Sequence, residues 1–366
     1  DEIQDIEKEI GVGPQVSDPG MGEGPFMWQE YLKAVEIYHS LLGAQSKTID
    51  LVVAKAQALR NQHRLHEAVY LLELSVQIGV FNSKVLHVLA AFYRDKKCWR
   101  KAERCIWDII KTDQEYAGLI GFASFAADVL RKQGYVNTAH SFIKSSIFLT
   151  SSQGKNIPLT AFAIQKELEY EITSEYSIEV SYRFYDAVYE SSDKYASNSD
   201  NSIYVPAWDE VLQYFQDNDV LSVVDIGCGP GQFAEYAIKR LPDLRYTGFD
   251  YSSVAISQAK NRTKGVEFIE GNAFSSSLLT KNAADVYILL EVLEHIEKDL
   301  DLLGSMPSRA SVVFSVPNFD SFGHVRFFLD EDEVYDRYNH LFSKLEVKSV
   351  ILKGYSTIYL AFGKLK

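Results

Sequence analysis

The sequence has few of the residues that form covalent or metal cross-links. Only three of its 366 residues are cysteine, at positions 98, 105 and 228, and no two of them form a C-x-x-C pair. This usage argues against a disulfide framework or a zinc ribbon and indicates a reduced, cytoplasmic protein. No run approaches the ~18 apolar residues that cross a bilayer, and the start of the chain lacks a basic-then-apolar signal pattern. We therefore expect no membrane insertion.

Basic residues are also in deficit. The chain carries 37 Lys and Arg against 50 Asp and Glu, a formal net charge of −13, and no dense basic run interrupts it. Nucleic-acid backbones and anionic membranes need clustered cations, so no nucleic-acid partner is expected. With 46% apolar residues, the length predicts two domains of a soluble enzyme or scaffold.

Proline is absent between residues 28 and 150, where apolar residues recur three and four apart. This spacing predicts helices throughout that range. Residues 1–27, in contrast, include a segment rich in Gly and Pro that is typical of a flexible leader or linker.

The helical range contains an internal repeat. Four segments share a small residue followed by an apolar helix, and their anchor alanines, Ala34, Ala68, Ala102 and Ala139, are 34, 34 and 37 residues apart. A period of 34 residues resembles the tetratricopeptide repeat family. The resemblance implies a solenoid of paired helices over residues 28–150 that binds a protein partner or substrate. The family's first-helix glycine is replaced by Ala56, Ala90 and Ala127, and its inter-repeat proline is missing.

The second half of the chain has a different periodicity. After a helical and aromatic connector, residues 151–202, short β-branched runs at 221–226, 245–250, 266–271, 285–292 and 311–316 alternate with amphipathic helices. Such alternation predicts an α/β domain with a parallel sheet over residues 203–366. The tail is expected to add a closing antiparallel pair.

The motif VVDIGCGPGQF, residues 223–233, carries the clearest chemistry. A buried strand ends at Asp225 and turns through Gly227, Gly229 and Gly231, where bare backbone lets a cofactor lie close. The third glycine of a dinucleotide fingerprint is replaced by Gln232, and Asp225 precedes the loop. An acid there disfavours a diphosphate and suits a cation, which points to the methionine end of S-adenosylmethionine.

Two later strands also end in polar residues. Asp250, 25 residues after Asp225, stands where a carboxylate would accept both ribose hydroxyls, with Tyr251 packing beside it. A helix cap is the competing interpretation for Asp250, although Ser252 could provide that cap alone. Asn272, followed by Ala273, stands where the adenine edge would lie, and its side-chain oxygen could accept from the adenine amino group.

The segment ILLEVLEHIEKD, residues 288–299, completes the pattern. Together with the glycine motif, Asp250 and Asn272, it resembles class I S-adenosylmethionine-dependent methyltransferases over about residues 180–366. The nearest groups are ubiquinone-type and polysaccharide O-methyltransferases. The resemblance implies a Rossmann-like seven-stranded sheet with one reversed strand. It also implies a cofactor site formed by Asp225, Gly227, Cys228, Gly229, Gly231, Gln232, Asp250, Tyr251, Asn272, Ala273 and Glu291.

Candidate catalytic residues follow the fourth and fifth strands. His295 or His324 could act as the general base on an acceptor hydroxyl, with Glu294 beside them, because an imidazole titrates near neutrality. Alternatively, Glu294 and His295 only cap and brace their loop, and His324 only bonds to backbone. The expected substrate residues are Tyr182, Tyr185, Asn318, Phe319 and Arg326, unless Arg326 merely pairs with Asp330 or Glu331.

These residues favour transfer of a methyl group to a hydroxyl of a sugar, polysaccharide or other small molecule, with no metal. Glu291, Glu294 and His295, together with His324 or His340, form a competing metal set, because small-RNA 3′-end 2′-O-methyltransferases carry E-x-x-E-H at this strand. The pattern is also compatible with a protein methyltransferase, whose substrate chain the repeats would hold, and with a non-catalytic scaffold.

Overall fold

The computed structural model describes residues 45–62, 64–173, 179–191, 198–275, 284–352 and 356–366. The chain forms two compact units that divide between Phe92 and Tyr93. The predicted leader, 1–27, and the first repeat anchor, Ala34, lie outside the described residues.

The described part of the first unit is helical. Its helices are α1 (Gln45–Asn61) and α2 (Leu65–Gln77), and α3 (Ser83–Asp95) contains the point of division. Ala56 and Ala68 are fully buried, as expected where small side chains let two helices approach.

The second unit begins with a helical layer and continues into the α/β part. The layer consists of α4 (Trp99–Thr112), α5 (Gln114–Ala117), α6 (Ile120–Arg131), α7 (Val136–Ser152), α8 (Leu159–Thr173) and α9 (Tyr182–Ser191). The anchors Ala102 and Ala139 are fully buried, as are Ile106 and Ile143 four positions on. In the described part of residues 28–150 the predicted helices are therefore present, whereas the tetratricopeptide-like solenoid and the domain boundaries stay predictions.

Within the described residues, seven strands form one sheet in the order β3-β2-β1-β4-β5-β7-β6. Of these seven, β7 is antiparallel to both of its neighbours, β5 and β6, and the other neighbouring pairs are parallel, so the predicted Rossmann-like sheet with one reversed strand is confirmed. The strands are β1 (Ser222–Ile226), β2 (Arg245–Asp250), β3 (Glu267–Glu270), β4 (Val286–Leu290), β5 (Ser311–Pro317), β6 (Phe342–Ile351) and β7 (Thr357–Leu365). The expected antiparallel tail pair is β6 with β7.

Helices cover both faces of this sheet. They are α10 (Val205–Asp217), α11 (Gln232–Arg240), α12 (Ser253–Arg262), α13 (Asp299–Gly304) and α14 (Glu331–Tyr338). Consecutive strand residues such as Val223 and Val224 enter separate apolar clusters on opposite faces, because side chains alternate along a strand.

The strand order reverses between β1 and β4. The chain leaves these neighbouring strands in opposite directions, which opens a crevice at their carboxyl ends. The candidate site lies there. Among the described helices, none is long and apolar enough to cross a membrane.

Candidate active site

The glycine loop joins β1 to α11. Gly227, Gly229 and Gly231 all have positive φ, of 75°, 51° and 74°, a region that side chains resist. A Cβ on Gly227 would lie 2.5 Å from Val292, and one on Gly231 would lie 2.9 Å from Ala259. The loop therefore presents backbone rather than side chains to the crevice, which fits a ligand held against bare peptide groups.

Asp250 ties the end of β2 to this loop. One carboxylate oxygen accepts from the amide of Gly229 at 2.9 Å and the other from the amide of Ser252 at 2.8 Å. Burial raises the pKa of Asp250 to about 6, although these two amides favour its ionised form. Ser252 caps α12 through its own hydroxyl, so Asp250 is not needed as that cap. Because a carboxylate has about four acceptor positions, Asp250 can also accept a hydrogen bond from a ligand.

Asp225 lies at the bottom of the crevice and accepts a hydrogen bond from the Tyr246 hydroxyl. Burial raises the pKa of Asp225 to about 7, with the Tyr246 hydrogen bond acting in the opposite direction. Cys228 is buried beside it, and burial raises the pKa of the thiol well above its ordinary value. A neutral buried thiol acts as a small apolar side chain here rather than as a nucleophile.

The end of β3 contributes Gly271, Asn272 and Ala273, all of which line the crevice. The Asn272 side-chain oxygen accepts from the Phe274 amide at 2.9 Å, so it shapes the turn as well as facing the predicted adenine position. Tyr251, across the crevice, also lines it and is half-exposed.

Glu291 follows β4 and has a φ of 58°, an unusual conformation for a residue with a Cβ. Ser315 on β5 holds it there: the Ser315 hydroxyl accepts from the Glu291 amide and donates to the Glu291 carboxylate, both at 2.8 Å. Strain held in place by neighbours is common at functional sites.

Glu294 and His295 form the next turn. Glu294 is fully buried, both of its carboxylate oxygens lack hydrogen-bond partners among the described residues, and burial raises its pKa well above the ordinary range. His295 Nδ1 lies 2.8 Å from the Tyr185 hydroxyl and 3.1 Å from the Gly323 carbonyl oxygen. Because a carbonyl only accepts, the latter contact places the proton on Nδ1 and leaves Nε2 as an acceptor.

His324 packs edge-on against His295 with ring centres 4.8 Å apart. Its Nδ1 lies 3.2 Å from the Phe319 carbonyl oxygen, which again leaves Nε2 unprotonated in the neutral ring. Burial lowers the pKa of His295 to about 4 and that of His324 well below its usual value. Both imidazoles are therefore neutral at physiological pH.

A cavity of about 690 Å³ connects these groups. One end is lined by the glycine loop, Gln232, Asp250 and Tyr251, and the other by Tyr185, His295, Phe319 and His324. Its described lining includes five acids and no Lys or Arg; the acids are Glu179, Asp225, Asp250, Glu291 and Glu294.

Three predicted substrate residues are not among the lining residues. Tyr182 packs edge-on against Tyr251 with ring centres 6.5 Å apart. Asn318 accepts from the Thr357 amide at 3.1 Å and so joins β5 to β7. Their side chains serve packing and sheet geometry in this structure.

Arg326 is likewise engaged away from the cavity. Its guanidinium donates to the carbonyl oxygens of Leu293, Ile296 and Glu297 and lies 3.3 Å from Asp299. The expected partners Asp330 and Glu331 were wrong, because the loop after β4 folds back over Arg326 and brings Asp299 closer. Arg326 braces the turn that carries His295.

Sequence reasoning missed several residues of the site. Phe184 and Tyr189 line the cavity together with Tyr185, and the four-residue spacing of 185 and 189 was a usable signal, since it places both on one face of α9. Tyr246 and Ser315 had no such signal, because their contacts with Asp225 and Glu291 depend on strand pairing.

The comparison with known protein families agrees with this fold. Residues 223–306, from β1 through α13, match the family described as Methyltransferase domain. This segment of the chain is therefore similar to methyltransferase domains, and the predicted cofactor, S-adenosylmethionine, is confirmed.

Similarity to particular proteins is partial. The chain is 33% identical over 127 residues to a trans-aconitate 2-methyltransferase of Rhodopseudomonas palustris strain BisA53, a match that covers 33% of this chain and 48% of the relative. A second strain, BisB18, has a relative with the same name, 45% identical over 67 residues, 18% of this chain and 26% of that protein. The chain thus spans about half, or less, of the length of these curated relatives.

Among solved structures, the chain is similar to the plantazolicin methyltransferase BpumL in complex with SAH. That likeness has a TM-score of 0.39 and 18% identity, and covers 56% of this chain and all of the other. The N-methyltransferase NodS of Bradyrhizobium japonicum WM9 has the same TM-score and identity over 50% of this chain and 99% of its own. Both likenesses are distant.

Proposed function

We propose that the protein transfers a methyl group to a hydroxyl oxygen of an uncharged small molecule, such as a sugar or glycosylated compound. The observation that carries this proposal is the cavity: an acid-lined end beside the glycine loop, continuous with an aromatic end that holds two neutral imidazoles. S-adenosylmethionine supplies, when bound, an electrophilic methyl group that passes from its sulfur to an acceptor oxygen.

Different residues along the cavity bind the cofactor and exclude water. The glycine loop and Asp250 bind the cofactor's ribose side, and Asp225, whose carboxylate faces the crevice, favours its cationic end. Asn272 and Tyr251 enclose the base. The aromatic residues Phe319 and Tyr185 exclude water from the far end, which strengthens electrostatic interactions there.

His295 is the proposed general base. Its side chain is 24% exposed, whereas His324 is 6% exposed, so an acceptor reaches His295 more easily. Nε2 of His295 takes the proton that the acceptor hydroxyl loses. Tyr185 and Gly323 hold the ring through Nδ1, and His324 supports it from the side.

The acceptor chemistry follows from charge. The curated relatives are trans-aconitate methyltransferases, and trans-aconitate is a tricarboxylic acid. The described lining of this cavity offers no Lys or Arg that could pair with a carboxylate, and burying a carboxylate without a cationic partner is costly. A neutral hydroxyl compound, whose C–H faces pack on Tyr and Phe rings, fits better than the relatives' substrate.

The test is a methyl-transfer assay with labelled S-adenosylmethionine and two acceptor groups, neutral sugars and glycosides in one and trans-aconitate and other carboxylates in the other. We expect product only in the first group. His295→Ala should lower kcat by about 10²-fold, the usual contribution of a general base, with cofactor affinity unchanged. His340→Ala, which removes an exposed histidine, is the matched control. Methylation of carboxylates alone would contradict the proposal.

A second candidate is a metal-assisted transfer, which one observation favours. Glu294, His295 and His324 each place a ligand atom within 4.8 Å of the others, and the Glu294 oxygens lack partners among the described residues. All three residues belong to the predicted metal set, whereas Glu291, which was also predicted as a ligand, is held by Ser315. Nδ1–H bonds to backbone carbonyls are typical of metal-binding histidines. Activity lost in EDTA and restored by Mn²⁺ or Zn²⁺ would support this version; full activity in EDTA would exclude it.

A further inference from the structure

The segment after β5 contacts both the imidazoles of the site and the helical layer. On one side, the carbonyl oxygens of Phe319 and Gly323 receive Nδ1 of His324 and His295, at 3.2 and 3.1 Å. On the other side, Asp320 and Phe322 of the same segment contact cations of the helical layer. We call residues 319–324 the histidine-holding loop.

Lys132, directly after α6, makes the central contact. Its ammonium lies 2.6 and 2.7 Å from the two carboxylate oxygens of Asp320 and 3.3 Å from Asp128. The side chains of Lys132 and Asp320 are only 5% and 2% exposed. A charge pair this buried is costly to desolvate and contributes little net stability, so its value lies in fixing one geometry.

A second contact reinforces the first. The Arg131 guanidinium lies 5.3 Å from the centre of the Phe322 ring and is itself held by Glu171 on α8 at 2.5–2.7 Å. Phe322 in turn packs against Phe184 of α9, with ring centres 5.0 Å apart. The helical layer therefore contacts the histidine-holding loop through two adjacent residues, Arg131 and Lys132.

The histidine-holding loop also passes close beneath α9. Gly323 has a φ of 93°, and a Cβ there would lie 3.3 Å from the Tyr185 hydroxyl, so only glycine fits easily at this point. Hydrogen bonds weaken steeply once the distance between donor and acceptor leaves the normal range, so a loop shift of about 1 Å would break both imidazole–carbonyl contacts.

We propose that Lys132 and Asp320 are positioning residues: the helical layer holds the loop through this pair, and the loop carbonyls hold both imidazoles with the proton on Nδ1, which leaves Nε2 as the proton acceptor. The pair acts through His295 and His324 and does not touch substrate. The proposal deepens the proposed function, since it rests on these histidines carrying out the chemistry.

The experiment measures the tautomers of the two imidazole rings directly. In the ¹⁵N-labelled full chain, long-range ¹H–¹⁵N correlation spectra distinguish the two neutral tautomers, and His295→Gln and His324→Gln assign two of the eight histidines. In the wild type we expect both rings to carry the proton on Nδ1. Asp320→Asn should produce mixed or broadened tautomer signals for both. It should also lower kcat at least 10-fold, with the Kd for S-adenosylmethionine changed less than 2-fold.

Two further variants keep the test decisive. Asp320→Asn leaves Lys132 with Asp128 as its remaining carboxylate partner, at 3.3 Å. If that variant does not fold, Asp320→Glu keeps the charge but lengthens the side chain, so it should displace the loop without leaving a buried charge unpaired. Lys239→Met, which breaks an exposed pair with Glu235, is the control and should leave tautomers and turnover unchanged. Wild-type imidazole signals in a folded Asp320 variant would overturn the positioning role. Altered signals with full turnover would overturn the base role of His295 instead.

Discussion

The carboxylate of Asp250 accepts a hydrogen bond of 2.9 Å from the backbone amide of Gly229. The ends of β1 and β2 are therefore joined through the group that we expect to bind ribose. Asp250→Asn keeps the shape but weakens both backbone contacts and the ligand contacts. Charge-assisted hydrogen bonds contribute about 1.5–3 kcal/mol each, so the Kd for S-adenosylmethionine should rise about 10²-fold.

Calorimetric titration measures this loss. Asp301→Asn, at an exposed position on α13, controls for a generic change of charge and should bind like the wild type. Unchanged affinity in a folded Asp250→Asn variant would remove the ribose assignment.

Cofactor affinity should depend on pH, because Asp250 and Asp225 change their ionisation between acidic and neutral pH. Burial raises their pKa values from 3.8 to about 6 and about 7. Because the bound cofactor favours both carboxylates in their ionised form, the affinity should fall as pH is lowered below about 7 for Asp225 and below about 6 for Asp250. The loss approaches roughly tenfold per pH unit for each group.

The stability of the unliganded fold should depend on pH in the opposite direction. The unliganded folded protein holds protons on these acids that the unfolded chain has released, so their protonation stabilises the fold at low pH and this contribution is lost as pH rises through 6 to 7. Binding titrations from pH 5 to 8, with Asp250→Asn for comparison, measure the first effect. A flat wild-type profile would show that neither acid changes its ionisation on binding.

Gly231 should not tolerate a side chain. Its φ is 74°, and a Cβ would lie 2.9 Å from the Cβ and 3.1 Å from the Cα of Ala259. Gly231→Ala should therefore lower the free energy of unfolding by about 1–2 kcal/mol for the backbone conformation alone, and should also weaken cofactor binding. Gly121→Ala on α6, where a Cβ meets nothing within 4 Å, should be neutral or slightly stabilising. Equal effects of the two substitutions in thermal unfolding would contradict this expectation.

The anchor Ala139 is fully buried between helices. Ala139→Leu should overpack that contact and lower the free energy of unfolding by about 1–3 kcal/mol. Thr138→Leu, the adjacent exposed position, introduces the same side chain without crowding and should have little effect. Urea unfolding compares the two, and a harmless Ala139→Leu would mean that the small residue is not a packing requirement.

Much of the α/β part follows from local sequence. The runs that contain Asp225 and Asp250 are short, β-branched and flanked by glycine or serine, so their strands and the following helices could be predicted to within one or two residues. The cofactor residues could be predicted for the same reason: each stands at the carboxyl end of a strand, and parallel strands bring those ends to one edge.

The acceptor end could be predicted only in part. Tyr185, His295, Phe319 and His324 do line one cavity, as expected, but Arg326 does not, because its partners come from a loop whose path no local pattern specifies. The contact between Lys132 and Asp320 joins residues 188 positions apart, and a pairing so distant leaves no periodic signal.

The sequence by itself determined the α/β class of the second half, the glycine loop and the identity of the cofactor, because these depend on periodicity, on backbone freedom at glycine and on charge near the loop. Only the tertiary structure decided which histidine is the more exposed, which backbone carbonyl each ring contacts and how the helical layer contacts the site. Those features depend on burial and on which backbone carbonyl faces which imidazole, and both are set when distant segments pack together.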